Sequence, residues 1–518
     1  MPGHPFYVTT PIYYANAAPH IGTLYTTVVA DYVARFHRLL GDDVRLATGT
    51  DEHGEKIYQA ALARGQSPQA FVDEIAPRFQ QAWREFEIGE HVFMRTTDPR
   101  HASLVGGALE QVRAAGDIYF AEYEGRYCVG CERFLTDREL VDGLCPDHAR
   151  PPEIRREGNW FFRLSRYQGW LRDALTAQPE LIRPERFRNE ALAMLAEPLG
   201  DLSISRPRER VPWGIPLPWD PTQVTYVWFD ALLTYLSALG YPGGADFLRF
   251  WPATHHLIGK DILKPHAVFW PAMLRALGLP TYRRLLVGGY LLGPDGRKMS
   301  KSLGNVVDPF ALAARFGVDA VRYYLLREFP YGQDGSVSIP ALEARYTADL
   351  ANTLGNLVNR VRVMLLRYRR GIVPPGRPAD EDRLLIAEGM GLLGVITPLA
   401  RAARTSLVLE QVMSFLQSLN RYVDRQQPWR LARDVGSAER LDGVLANLVE
   451  GLRIAAALLE PAIPGKAREI RVNLGLPPGS AEHVGCWDFA STGSRVPAES
   501  AVLFPPLNGR VAEAGGAP

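Results

Sequence analysis

The chain has 518 residues, 47% of them hydrophobic and 10% aromatic, enough for about three to four domains with buried cores. With 58 basic against 57 acidic side chains the net charge is +1, which excludes a histone-like mode of nucleic-acid binding and confines any RNA contact to local patches. No stretch reaches about 18 uninterrupted apolar residues, Met1–Thr10 has no basic flank with an apolar run, and four cysteines are too few for a secreted disulfide scaffold, so a cytoplasmic protein without a membrane partner is expected.

In chain order, the β-branched and aromatic run Pro5–Pro11 predicts a strand, followed by an irregular loop at Tyr13–Pro19 and a helical pattern from His20 to about Leu40. A second strand, Val44–Ala47, ends in Thr48-Gly-Thr-Asp-Glu-His-Gly54, with helices predicted over Glu55–Arg64 and Pro68–Glu85. Strands alternating with helices predict an α/β fold built on a parallel, nucleotide-binding sheet whose ligands sit at the carboxyl ends of the strands. From about Asp117 to Val211, short aromatic strands and turns carry three of the four cysteines, the composition of an inserted domain. The α/β pattern resumes with Val224–Asp230, a following helix, and the strand-like His255–Ile258 and Leu285–Leu292. After about Arg345 apolar residues recur at three-to-four spacing, as at Leu354, Leu357, Val361 and Leu365 and again over Leu441–Leu459, which predicts a closing helical bundle. The Gly-, Ala- and Pro-rich Asn508–Pro518 is expected to be a loose tail.

Only six of the basic residues are lysines: Lys56, Lys260, Lys264, Lys298, Lys301 and Lys466. A chain that uses arginine elsewhere keeps lysine where a compact, mobile ammonium is needed, and five of the six fall in three short segments. Pro19-His-Ile-Gly-Thr23 stands where a strand passes into a helix. There the His20 imidazole can donate to phosphate, free amides and the helix dipole favour an anion, and Gly22 lets an adenine ring approach the backbone. In the turn-rich Gly293–Gly304, Lys298 and Lys301 flank Met299 and Ser300 and precede Ser302, so a mobile loop can bring two ammonium groups to a triphosphate. Cys128 and Cys131, then Cys145 and His148, have the spacing of a closed, tetrahedral structural zinc site. In the helical region Asn356 and Arg360 lie four apart on one face, suited to reading RNA bases, with Trp429 as a stacking partner.

His20-Ile-Gly-Thr23 and Lys298-Met-Ser-Lys-Ser302 together resemble the two marks of class I aminoacyl-tRNA synthetases, with Thr23 where that class has a second histidine. Thr9–Asn16, Gly49–Gly54, Tyr226–Ala231 and His256–Ile262 are similar to the methionine-specific branch of that class in particular, and the likeness runs from Phe6 to about Pro505. The resemblance implies a Rossmann-type catalytic domain (1–116 and 213–320) interrupted by a connective zinc-knuckle domain (117–212). A stem-contact junction (321–350), an α-helical anticodon-binding domain (351–506) and a tail (507–518) would follow. It implies ligation of methionine to tRNA(Met) with ATP and Mg2+, one structural zinc, and a monomer. It assigns catalysis to His20, Lys298 and Lys301, and ATP contacts to Gly22, Thr23, Gly259, Lys260, Asp261, Ser300 and Ser302. The methionine side chain would lie among Ile12, Tyr14, Trp228, Ala231, Tyr235, Ile262, His266 and Trp270, with Asp51 holding the amine. Asn356, Arg360 and Trp429 would read the anticodon. Two alternatives stay open on the sequence: another class I synthetase, such as the cysteine enzyme, and a catalytically inert zinc-containing RNA-binding descendant.

Overall fold

The computed structural model describes residues 3–129, 133–135, 137–146, 149–299, 304–476, 484–489 and 491–507. A six-stranded parallel sheet lies at its centre, in the order Val92–Arg95, Asp43–Asp51, Pro5–Tyr14, Thr254–Gly259, Arg284–Gly288, Ile182–Arg183. Val8 faces one hydrophobic cluster and Tyr7 the other, the two-residue alternation of a strand covered on both sides. Pro5–Tyr14 pairs on one side with Asp43–Asp51 and on the other with Thr254–Gly259, Tyr7 against Thr254 and Thr9 against His256. Strand order reverses at that pair, so the loops beyond its carboxyl ends diverge and leave a crevice.

The helix Ile21–Leu39 follows the first strand and lays Leu24, Val28, Tyr32 and Phe36 on the sheet. An antiparallel sheet, in the order Arg133–Leu135, Ile118–Cys128, Glu153–Phe162, Leu202–Ser203, forms the body of the inserted region. The insertion is not separate throughout. Ile182–Arg183 pairs with Leu285 and Leu286 as the edge strand of the parallel sheet, and two residues are too few to show alternation in a sequence. Val224–Asp230, where the α/β pattern resumes in the sequence, is not one element. Asp220–Thr225 is a strand in a small antiparallel sheet, and Val227–Ala231 is helical, because a short buried apolar run reads alike in either state.

Ile339–Arg345, a π-helical stretch at Tyr346–Gly355 and Asn356–Arg369 run on as one rod into the bundle of Arg383–Arg401, Thr405–Gln426, Ala438–Leu459 and Pro464–Leu474. The stretch Asp380–Arg401 is long and apolar enough by composition to cross a membrane. Glu388 and Pro398 interrupt it, and Leu385, Leu392 and Ile396 pack into the bundle core.

Candidate active site

His20 caps the first helix. Its Nδ1 accepts from the Gly22 N–H at 3.0 Å, which leaves Nε2 to carry the ring's proton toward the exposed side. A Cβ on Gly22 would lie 2.9 Å from His20 Cε1 and 3.8 Å from Met299 Cε, so the glycine keeps the imidazole in place and the two sequence marks meet here. Thr23 faces inward and is only 8% exposed, unlike His20.

Asp51 ends the second strand, buried and paired with Tyr14; its carbonyl accepts from Ala15 N–H at 2.9 Å. Ile12 pairs with Gly49 on the same strands. Opposite, an aromatic box forms around Tyr235. Its ring centroid is 4.4 Å from His256, 5.8 Å from His266 and 6.1 Å from Trp270, and Trp228 meets His266 edge-on at 6.3 Å. Proton positions follow from the partners. Trp270 Nε1 donates to His256 Nε2 (3.1 Å), so His256 Nδ1 donates to Thr9 Oγ1 (2.7 Å). His266 Nδ1 donates to the Ile262 carbonyl (2.9 Å), so Tyr235 Oη donates to His266 Nε2 (2.9 Å). Burial holds His266 at a pKa of about 4 and His256 well below its usual value, so both are neutral at pH 7. Ala231, buried at the end of its short helix, completes the same side.

Gly259 ends the strand Thr254–Gly259, and Lys260 and Asp261 follow it; a Cβ on Gly259 would come 2.5 Å from Asp261 Oδ1. Lys298 stands at the base of its loop, where Asn305 Nδ2 donates to Asp295 Oδ1 (3.0 Å) and to the Lys298 carbonyl (3.4 Å). Ser300, Lys301 and Ser302 lie outside the described residues.

The sequence reading missed a buried polar network behind Asp51. Asp230 accepts from His53 Nδ1 and His101 Nε2, both at 2.7 Å, and His101 Nδ1 is 2.7 Å from Ser237 Oγ. Although burial works against its charge, the neighbouring His53 and then His101 hold the Asp230 carboxyl at about 2. The His53 ring meets Trp213 at a tilt, centroids 5.4 Å apart, and Trp213 Nε1 donates to the Glu52 carbonyl at 2.5 Å; through His53 and Asp230 the loop that carries Asp51 is tied to the helix that carries Trp228. His53 and His101, in Thr48–Gly54 and Arg95–His101, were visible in the sequence, but nothing local marks the carboxylate they share.

Cys128 and Cys145 are buried in one small cluster with Leu135, apart from the two main cores. Asp142 and Gly143, both at positive φ, turn the hairpin that delivers Cys145, with Val141 and Leu144 exchanging both backbone hydrogen bonds. Cys131 and His148 lie outside the described residues, and among the described residues no three His, Cys, Asp or Glu form a metal-binding group. In the bundle, Asn356 is exposed, Arg360 donates to Asp424 Oδ1 (3.0 Å), and Trp429 follows that helix end with 38% exposure. Nearby on the same helix, Arg362 and Arg369 donate to backbone carbonyls of the protein.

A family model described as class I tRNA synthetases (M) matches residues 6–151 and 148–362. Methionine--tRNA ligase of Deinococcus radiodurans is 48% identical over 511 residues, covering 96% of this chain and 74% of that protein. Its counterpart from Caldanaerobacter subterraneus is 42% identical, over 97% and 79%. Mycobacterium tuberculosis methionyl-tRNA synthetase in complex with methionyl-adenylate superposes with a TM-score of 0.93 at 42% identity, over 97% of this chain and 100% of that one; its apo form gives 0.85.

Proposed function

The chain belongs to the class I tRNA synthetases of the methionine branch, and on that premise we propose how its residues share the work of a methionine--tRNA ligase. Such an enzyme joins L-methionine to tRNA(Met) in two steps. The methionine carboxylate attacks the α-phosphorus of Mg-bound ATP in line and expels pyrophosphate. A ribose hydroxyl of the terminal adenosine of the tRNA then takes the methionyl group from the adenylate. Neither step requires a covalent enzyme nucleophile, so positioning and charge stabilisation carry the rate.

The observation that carries this reading is the pairing of Asp51 with a neutral aromatic box at the carboxyl ends of the sheet. A thioether offers little to hydrogen-bond, so a dry, polarisable pocket selects it while one carboxylate takes the ammonium. Ile12, Tyr14, Trp228, Ala231, Tyr235, Ile262, His266 and Trp270 fill that role, with Asp51 as the anchor. His20 Nε2–H and the helix N-terminus receive the phosphates, with Gly22 and Thr23 beside them. Lys298 and Lys301 neutralise charge growing on pyrophosphate, Ser300 and Ser302 line the same loop, and Gly259, Lys260 and Asp261 hold the adenosine.

Cys128, Cys131, Cys145 and His148 would bind one structural zinc. Two buried thiols in a small isolated cluster, with a tight hairpin delivering one of them, suit a closed site with no position left for substrate. About one zinc per purified chain is expected by metal analysis, with loss of metal and a less stable inserted region in Cys145→Ser. We assign 1–116 and 213–320 to the catalytic domain, 117–212 to the connective insertion, 321–350 to the stem junction, 351–506 to anticodon binding through Asn356, Arg360 and Trp429, and 507–518 to a tail. The enzyme works in the cytoplasm as a monomer, away from membranes. ATP–pyrophosphate exchange across a panel of amino acids tests the whole reading: methionine alone should support exchange, and a preference for cysteine or no exchange would reject it.

A further inference from the structure

Two ammonium groups share one aromatic ring at the mouth of the crevice. Lys260 Nζ lies 4.2 Å and Lys298 Nζ 4.7 Å from the centroid of Tyr290. The lysines come from different loops, one following Thr254–Gly259 and the other following Leu291–Leu292. Tyr290 itself is fixed from behind. Its N–H donates to Asp334 Oδ1 at 2.8 Å, its carbonyl accepts from Gly335 N–H at 3.0 Å, and Leu291–Leu292 pairs in parallel with Gly335–Ser336. Backbones approach so closely here that a Cβ on Gly289 would stand 2.2 Å from the Gln333 carbonyl carbon.

Asp334 Oδ2 also accepts from Lys260 Nζ at 2.7 Å, and among the described residues it is the one carboxylate within ion-pair distance of either lysine. Two cations against one carboxylate leave a net positive charge, and like charges this close repel unless something between them is attractive. The negative face of an aromatic ring supplies that attraction without neutralising either ammonium, as a second carboxylate would. The pair therefore stays gathered and remains available to an incoming anion.

We propose that Tyr290 is a positioning residue for ATP, its ring holding Lys260 and Lys298 together so that the triphosphate meets two ammonium groups already in place. The proposal rests on the synthetase reading above. Gathering the cations before ATP arrives lowers the ordering cost of binding and of the transition state, in which charge builds on the departing pyrophosphate.

The test is methionine-dependent ATP–pyrophosphate exchange by full-length variants at position 290. Tyr290→Leu keeps bulk but removes the ring face, so KM for ATP should rise about three- to thirtyfold, with KM for methionine unchanged. Tyr290→Phe, which keeps the face, should restore most of the difference. A series with mono-, di- and trifluorinated phenylalanine at 290 drains the ring's charge at nearly constant shape, which keeps the question open to measurement even if the leucine variant does not fold. KM for ATP should climb stepwise along it. A flat series, a phenylalanine variant as impaired as leucine, or equal rises in both KM values would overturn the role of Tyr290. Absence of methionine-dependent exchange in the unaltered protein would instead overturn the functional reading.

Discussion

His256 and His266 lie in the aromatic box as neutral rings, each with both nitrogens hydrogen-bonded. Burial depresses their native pKa values, His266 to about 4 and His256 well below its usual value, against about 6.5 in an unfolded chain. Between those values the unfolded state binds protons that the native state refuses, so stability falls as pH falls, and the loss is fully avoided only above about 6.5. Each histidine contributes about 1.4 kcal/mol per pH unit. Burial depresses His255 as well, to about 3, so urea unfolding should show clearly lower stability at pH 5 than at pH 7, and His266→Gln should lessen the slope without abolishing it; equal stabilities at the two pH values would mean the rings are protonated or solvated. Thr23 poses the opposite problem. Thr23 is buried at 8% exposure, so the larger ring of Thr23→His should crowd the start of the first helix and cost about 1–3 kcal/mol. Thermal unfolding should show the loss, and a histidine variant with native stability and a lower KM for ATP would mean that the site accepts the larger donor.

At the level of elements, how much a sequence tells depends on run length. Ile21–Leu39 and the long helices of the bundle are legible because 3.6-residue periodicity persists over several turns. Ile182–Arg183 and Val227–Ala231 are not, since two to five buried residues carry no period of their own. The candidate site divides the same way. His20 and Lys298 announce themselves by spacing and residue type, whereas Tyr235, His266 and Trp270 look like ordinary core aromatics, and only the likeness to a family singles them out. The Asp230 network is invisible because its partners, His53, His101 and Ser237, come from three separate segments. Trp429 is a case where an element's position carries a prediction. It sits on the four-residue helix Pro428–Leu431, which follows the helix that carries Asp424, the partner of Arg360. Loss of a stacking aromatic costs on the order of 1–3 kcal/mol per base. Trp429→Ala should thus slow aminoacylation of tRNA about tenfold or more while leaving pyrophosphate exchange intact, and a parallel fall in exchange would make it a structural residue.

Across the whole molecule, one buried charge pair joins the catalytic sheet to the helical bundle. Arg322, fully buried on Val318–Glu328, donates to Asp31 Oδ2 (2.6 Å), to the Phe86 carbonyl (2.9 Å) and to the carbonyls of Pro461 and Ala462 (both 3.0 Å). Asp31 accepts in addition from Arg35 Nε (2.9 Å) and Gly89 N–H (2.8 Å), so neither ion is left unsatisfied. Asp31 belongs to the helix that His20 caps, and Pro461–Ala462 turn the chain into the last long helix of the bundle. Three segments distant in sequence thus converge on the guanidinium of a fourth, whose fork suits several carbonyls at once in a way an ammonium does not. Removing it leaves the buried Asp31 carboxylate with Arg35 and the Gly89 N–H but without its fully buried partner, a loss of up to about 3–5 kcal/mol, whereas replacing both ions with apolar groups of similar volume removes the under-compensated charge as well. Arg322→Met should therefore lower stability by that amount, and Arg322→Met combined with Asp31→Leu should recover a large part of it in urea unfolding. Because the pair also sets how the first helix sits against the bundle, aminoacylation should stay impaired in the double variant even where stability returns. Full recovery of both would reduce the pair to ordinary core filling; recovery of neither would mean that the carbonyl contacts of Arg322, rather than its charge, hold the two halves together.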